Sequence, residues 1–312
     1  MKRHLILLLF ILIGSIHESM AQREVMYAQY LYNTLEINPA YAGSRHNLSF
    51  VSMNRSHWTI VFDRAPMTQS LNLHTPTKHE HVGVGLSFRN ESAGPEKTTS
   101  LYGDFSFRID MTPESTLTFG LKAGVSLFNV PLTQLVIDNP ADPAFASDII
   151  SHWLPNFGFG MLYRREQLFI GFSIPKFLEI NYFDNLLIGG VRTILQNRNY
   201  YLTAGTVFRL SPELYIMPTT YIRLQHGTIS EVDLSVRVML FDRFSAGAMI
   251  RMQDAMGFNI GIEITPNLVM GYSFDFAVLN RVPNFNFGSH EIVLRYELQF
   301  TDYHQKRWPR YF

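Results

Sequence analysis

Apolar and polar residues alternate along most of this chain. The pattern is clearest in the C-terminal half. Glu213 to Leu224 places Leu214, Ile216, Pro218, Thr220, Ile222 and Leu224 on one face. Glu231 to Leu240 sets Val232, Leu234, Val236, Val238 and Leu240 against Asp233, Ser235, Arg237 and Met239. Arg243 to Met252, Phe258 to Ile264, Leu268 to Phe276 and Glu291 to Phe300 repeat the arrangement. A period of two over such lengths predicts strands with one apolar and one wet face. From Leu48 to Phe300 the chain divides into roughly fourteen such segments.

The connections sort by parity. Tight turns rich in Pro, Asn and Asp follow every second strand, at Thr112-Pro113-Glu114, Arg164-Arg165-Glu166, Ser211-Pro212-Glu213, Asp242-Arg243 and Pro266-Asn267. The other parity is expected to hold longer connections: Asn90 to Lys97, Asn129 to His152, Pro175 to Arg198, Gln225 to Ser230 and Asn280 to Gly288. An even number of strands with short turns at one end and long loops at the other predicts an all-β, transmembrane antiparallel barrel. A soluble β-sandwich shares the alternation but not the sorted turns. Ionisable residues in mid-strand, Asp104, Arg237, Arg251, Glu263, Asp275 and Arg295, then face the lumen. In a bacterial outer-membrane barrel the termini are expected on the periplasmic side and the long loops outside.

The first residues read as an address. Met1 to His4 is basic, Leu5 to Ile13 is unbroken apolar, and Ser19-Met20-Ala21 supplies small residues for cleavage before Gln22. The expected organisation is a signal peptide over 1–21, a periplasmic or plug segment over 22–47, the barrel over 48–300 and a tail over 301–312. The tail is expected on the periplasmic side or in the lumen. The chain carries 26 basic and 26 acidic residues; without Lys2, Arg3 and Glu18 it has 24 and 25, so no net field favours nucleic acid. There is no cysteine, which excludes a disulfide framework. The 25 Phe and 15 Tyr suit the aromatic girdles of a membrane barrel.

Candidate chemistry is sparse. His74, His79, Glu80 and His81 are metal-ligand types, but they surround a turn without helical spacing, so a solvated turn is expected. Asp138, Asp142 and Asp148 lack the ligand alternation of a calcium loop. Gly83-Val84-Gly85 and Gly158-Phe159-Gly160 lie inside strands, where glycine lets a sheet bend or leaves room for a neighbour. No G-x-S-x-G motif occurs, and Ser56-His57 and Ser151-His152 are only sequence neighbours. No enzyme activity, metal or cofactor is expected. Binding or passive diffusion remain as functions.

Several stretches resemble one family. Ala28-Gln29-Tyr30 and Asn38-Pro39-Ala40-Tyr41-Ala42-Gly43-Ser44 open the match. Asn54 to Trp58, Ala65 to Ser70, Asp142 to Phe145, Leu154 to Gly158, Ser173-Ile174-Pro175 and Gly288 to Ile292 continue it. The terminal Pro309-Arg310-Tyr311-Phe312 closes it, with Trp308 a departure. Together they resemble the PorP/SprF proteins of the type IX secretion and gliding machinery of Bacteroidetes. The resemblance implies a monomeric outer-membrane barrel in contact with outer-membrane lipid. It also implies a role in secretion or display of a surface protein carrying a type IX C-terminal domain, with periplasmic secretion-machine subunits as the other possible partners. The residues expected to bind a partner or plug the lumen are Asn38, Pro39, Tyr41 and Gly43 at one end and Arg310, Tyr311 and Phe312 at the other. The alternative function is a passive diffusion porin.

Overall fold

A computed structural model describes residues 27–45, 47–57, 65–79, 81–134, 148–181, 194–252, 254–278 and 288–298. The chain begins with a short helix α1 (Thr34–Ile37) and a 3-10 turn (Pro39–Tyr41). The strands follow: β1 (Leu48–His57), β2 (Met67–Pro76), β3 (Val82–Ala93), β4 (Glu96–Thr112), β5 (Ser115–Val130), β6 (Ile149–Arg165) and β7 (Leu168–Ile174). A two-stranded ribbon, β8 (Ile180–Asn181) with β9 (Ile194–Gln196), stands apart from the wall. The wall resumes with β10 (Asn199–Thr206), β11 (Phe208–Ser211), β12 (Leu214–Gln225), β13 (Thr228–Leu240), β14 (Phe244–Arg251), β15 (Ala255–Thr265), β16 (Leu268–Ala277) and β17 (Ser289–Leu298).

Neighbours in sequence pair antiparallel throughout the wall. Two further seams close it. β17 returns to β1, with Leu298 opposite Leu48 and Ser289 opposite His57. β10 bridges β7 and β12, and β11 continues it along β12 after a break at Val207. Counting β10 and β11 as one wall strand, the 15 wall segments form a closed barrel of fourteen strands. Closure leaves no ladder edge along the wall, which a lipid environment requires.

The alternation places the apolar side chains outside. Leu101, Phe105, Phe107, Ile109 and Met111 run down the outer face of β4, and Met256, Phe258, Ile260 and Ile264 do so on β15. The charged residues Asp104, Arg237, Arg251, Asp275 and Arg295 are buried on the inner face, as expected. The lumen is nevertheless not wet throughout. Val51, Met53, Leu162, Phe169, Met217 and Val293 also point inward and form one core with the N-terminal segment.

The connections depart from the expected sorting. One end carries only short turns, at 77–81, 113–114, 166–167, 212–213, 241–243 and 266–267. The other end holds the long connections 58–66, 131–148, 175–198 and 278–288, but three short ones as well. Strands continue through most of Asn90 to Lys97 and Gln225 to Ser230. The reason is local. Gly94 has φ of 58° and begins a tight turn with Pro95. His226 and Gly227 have φ of 49° and 79°, the double positive φ of a type I′ hairpin. A third, at 252–254, joins β14 to β15.

β6 has 17 residues and outruns its neighbour β7. Its ladder to β7 stops at Phe159 opposite Ile174. Above that point Phe157 accepts a hydrogen bond from the Phe177 amide at 2.8 Å, and its own amide donates to Asn156 Oδ1 at 2.9 Å.

Candidate functional site

The site is the interior of the barrel, and the N-terminal segment occupies it. Residues Tyr27 to Ser44 are buried throughout except Glu36, which is half-buried. A buried chain of this length must find partners for its peptide groups. Short-range turns satisfy some: Tyr32 N donates to Gln29 O, Asn33 N to Tyr30 O, and Asn38 N to Thr34 O at 2.8 Å. Asn38 caps the following turn, its Oδ1 accepting from Ala40 N at 2.9 Å, with Pro39 at the position where a missing amide costs nothing.

The barrel wall satisfies others. The carboxylate of Glu291 on β17 accepts from Ala28 N at 2.9 Å and Gln29 N at 2.7 Å. Tyr30 donates its hydroxyl to Thr219 Oγ1 at 2.9 Å, and Asn33 Nδ2 donates to Ser70 Oγ at 3.1 Å. Ser173 and Ser106 donate to Ile37 O and Ala42 O at 2.9 and 2.7 Å. Asn38 Nδ2 donates to Met161 O at 3.1 Å, and Gly43 N donates to His74 Nδ1 at 3.2 Å. Burial pushes the Tyr30 phenol up to about 12.

Glycines on the inner face make the room. A side chain at Gly120 would strike the backbone of Pro39 and Ala40. At Gly160 it would strike Asn38, and at Gly83 the carbonyl of Ala42. Gly43 itself has φ of 67° and lies against the backbone of Gly83 and Pro76, so it combines a positive φ with a close approach. Of the two readings for the strand glycines, room for a neighbour is the one that Gly83 and Gly160 fulfil.

Charged residues line both ends of the filled lumen. Near the long-connection end Arg55 bridges Glu291 at 3.1 Å and Asp275 at 2.7 Å. Arg251 pairs with Glu231 and with Asp233 at 3.2 Å, and Arg223 pairs with Glu231 at 2.9 Å. Acid and base alternate there. At the short-turn end arginine prevails. Arg164, Arg237 and Arg295 are buried, the side chain of Arg45 is nearly so, and among the described residues Glu297 is the buried carboxylate beside them. It accepts from Arg45 at 2.9 Å and lies 3.2 Å from Arg295. Burial raises the Tyr32 phenol, but Arg237, with Ser245, Arg295 and Arg45, outweighs it and holds the group below its ordinary value.

The structure gathers four of the expected site residues, Asn38, Pro39, Tyr41 and Gly43, within the lumen. Arg310, Tyr311 and Phe312 lie outside the described residues, as do the leader over 1–21, the tail over 301–312, and Glu80, Asp138 and Asp142. His74 is separated from the turn histidines, because it faces inward while His81 is exposed. Asp148 accepts from Thr133 N and Oγ1, both at 2.8 Å. Sequence reasoning assigned no contact to Glu291, Gly120 or Ser173, although Ser173 and Glu291 lie in stretches that resemble the family. Inward parity on a strand names a face and not a contact.

Comparison with known proteins adds identity. No curated protein matches the chain. Among solved structures, outer membrane protein Omp33 of Acinetobacter baumannii is similar at 8% identity and TM-score 0.48, over 81% of this chain and 100% of that one. CymD, a monoaromatic hydrocarbon channel, is similar at 11% identity and TM-score 0.48, over 85% and 91%. A mutant of TodX, another monoaromatic hydrocarbon channel, gives 10% and 0.48, over 87% and 95%. The family profile of the type IX secretion system membrane protein PorP/SprF matches residues 19–296. That span takes in both the closed wall and the segment inside it, and the chain belongs to the PorP/SprF family of type IX secretion system membrane proteins, as an outer-membrane β-barrel of that system.

Proposed function

We propose that this barrel works as a closed binding platform. It holds a secreted surface protein, periplasmic subunits of the secretion machinery, or both. In this reading the segment from Tyr27 to Ser44 is a resident plug, and Asn38, Pro39, Tyr41 and Gly43 set its shape. The observation that carries the reading is the filled lumen. A diffusion pore needs a continuous water path. Here the interior is a packed core of Tyr30, Leu35, Ile37, Tyr41 and the inward Met53, Leu162 and Met217. The long connections at one end and the arginine-rich mouth at the other are the two surfaces left for partners.

The plug half of the reading is tested in planar bilayers. The intact protein is expected to be nearly silent, and deletion of residues 27–44 is expected to give steady conductance. Steady conductance from the intact protein would instead favour a passive diffusion porin. The binding half is tested by affinity capture of the tagged barrel from solubilised outer membranes, with mass spectrometry of what is retained. A protein with a type IX C-terminal domain, or periplasmic machine subunits, is the expected companion. Capture of neither would count against the platform.

A further inference from the structure

The outer wall of a membrane barrel is apolar over the height of the bilayer core, which takes about 9–11 residues of a tilted strand. Most of this wall complies. On β15 the outward residues Met256, Phe258, Ile260, Ile262 and Ile264 are all apolar. On β4 the outward run from Leu101 to Met111 is interrupted only by Gly103. Strands β1 and β2 differ. Ser49, Val51, Met53 and Arg55 are buried inside, so Leu48, Phe50, Ser52, Asn54 and Ser56 face outward. On β2, Thr68, Ser70, Asn72 and His74 are buried, which leaves Met67, Gln69, Leu71, Leu73 and Thr75 outside. Polar residues thus alternate with apolar ones on a face where lipid asks for none.

The polar positions line up across the ladder. Asn54 stands opposite Gln69, Gln69 opposite Asn90 on β3, and Asn90 opposite Thr99 on β4. Four neighbouring strands therefore carry one row of uncharged donors and acceptors, about 15 Å long at the usual strand spacing. Thr99 donates its hydroxyl to Asn90 Oδ1 at 3.0 Å. Among the described residues, the side chains of Ser52, Asn54, Ser56 and Gln69 make no hydrogen bond. Ser52 has Leu294 on one side and Leu71 on the other, and Asn54 has Ile292 beside it, so apolar wall adjoins the polar groups directly. If the bilayer surface followed the row, β1 would cross the core with Leu48 and Phe50 alone, about a third of the length required. Amides left bare in that core have no water to bond.

We propose that a second copy of this barrel covers the face, turned about a two-fold axis along the membrane normal, so that Asn54 of each copy meets Gln69 of the other. A primary amide both donates and accepts, so a row of Asn, Gln and Ser is complementary to itself, as an isologous interface requires. A second copy also lies at the same depth without adjustment, row against row, with Leu48, Phe50, Leu71 and Leu73 as an apolar skirt beneath. Lipid headgroups are poorer occupants, because the row itself carries no cation to hold a phosphate. The face is on the outer wall, so the inference goes beyond the platform reading and is independent of what either mouth binds. It departs from the monomer that the family resemblance implies.

The test uses full-length protein in lipid bilayers. Copies carrying Asn54→Cys are mixed in equal amounts with copies carrying Gln69→Cys, and the chain has no native cysteine. Oxidation is expected to link the two variants into a dimer. Leu202→Cys, on β10 at the opposite side of the barrel, is expected to link far less. Single-molecule photobleaching counts copies in the unlinked protein as lipid is added. Asn54→Leu combined with Gln69→Leu is expected to raise the dimer dissociation constant by about tenfold or more. That variant keeps its fold, checked by the heat-dependent gel shift of a barrel, because leucine suits an outward position. Single copies at every lipid dilution, equal linking through Leu202→Cys, or an unchanged dissociation constant in the leucine variant would each overturn the proposal. Single copies throughout would leave thinned lipid as the cover.

Discussion

The two halves of the luminal segment are held by different physics. The upstream half, Tyr27 to Tyr32, meets the wall through polar tips. Glu291 takes two of its amides, and the Tyr30 hydroxyl finds Thr219. The downstream half, Asn38 to Gly43, keeps hydrogen bonds to Met161, His74 and Ser106 but lies with its backbone directly against the wall, with Gly83, Gly120 and Gly160 opposite. The first kind of attachment is strong but depends on a few atoms and on their charge. The second is spread over many weak contacts and depends on shape. One half is therefore released mainly by a change of charge and the other mainly by added bulk.

The largest effect that would sharpen this contrast is expected from Glu291→Ala. It removes the acceptor of Ala28 and Gln29 and one partner of Arg55. Removing one partner of a buried ion pair costs about 3–5 kcal/mol. The urea midpoint should fall, and a cysteine placed at Gln29 should become reactive while one at Ala40 stays protected. The chain has no native cysteine to confuse the labelling. Exposure of both sites would show that the halves move as one body.

Gly120→Ala comes next. Its methyl has no space beside Pro39 and Ala40, and overpacking of this kind costs about 1–3 kcal/mol. The pattern should reverse, with Ala40 labelled before Gln29. Asn38→Ala removes the cap on Ala40 and the donor to Met161, for about 1–2 kcal/mol, and should also loosen the downstream half first. Tyr30→Phe is the mildest, at about 0.5–1.5 kcal/mol, and hydrogen exchange confined to the upstream half would register it. Faster exchange around Asn38 in that variant would contradict the division.

Much of the wall was legible because period two is a direct readout of which side faces lipid. Leu234, Val236 and Val238 against Asp233, Ser235 and Arg237 could hardly be placed otherwise. The turns were half legible. Pro212 and Pro266 announce themselves, whereas the tight turns at Gly94 and His226-Gly227 sit within expected long connections. The site was legible as a segment but not as a contact set. Asn38 and Gly43 carry local signals, a cap and a positive φ. The match between Gly120 and Ala40 joins residues 80 apart in sequence, through a register that only the closed ladder fixes. The same holds for the apolar lining. Met217 and Val293 look misplaced on a wet face until something is packed against them.

The overhang of β6 has one more consequence. A strand that outruns its neighbour offers an open row of amides and carbonyls, the template on which chains zip into aggregates. On this strand the row is interrupted just past the ladder's end. Phe157 has its amide turned to Asn156 and its carbonyl taken by Phe177. Two positions further along the same side stands Pro155, which has no amide to offer. A strand arriving from another chain would thus find its first two pairing positions on this rim already taken or missing an amide.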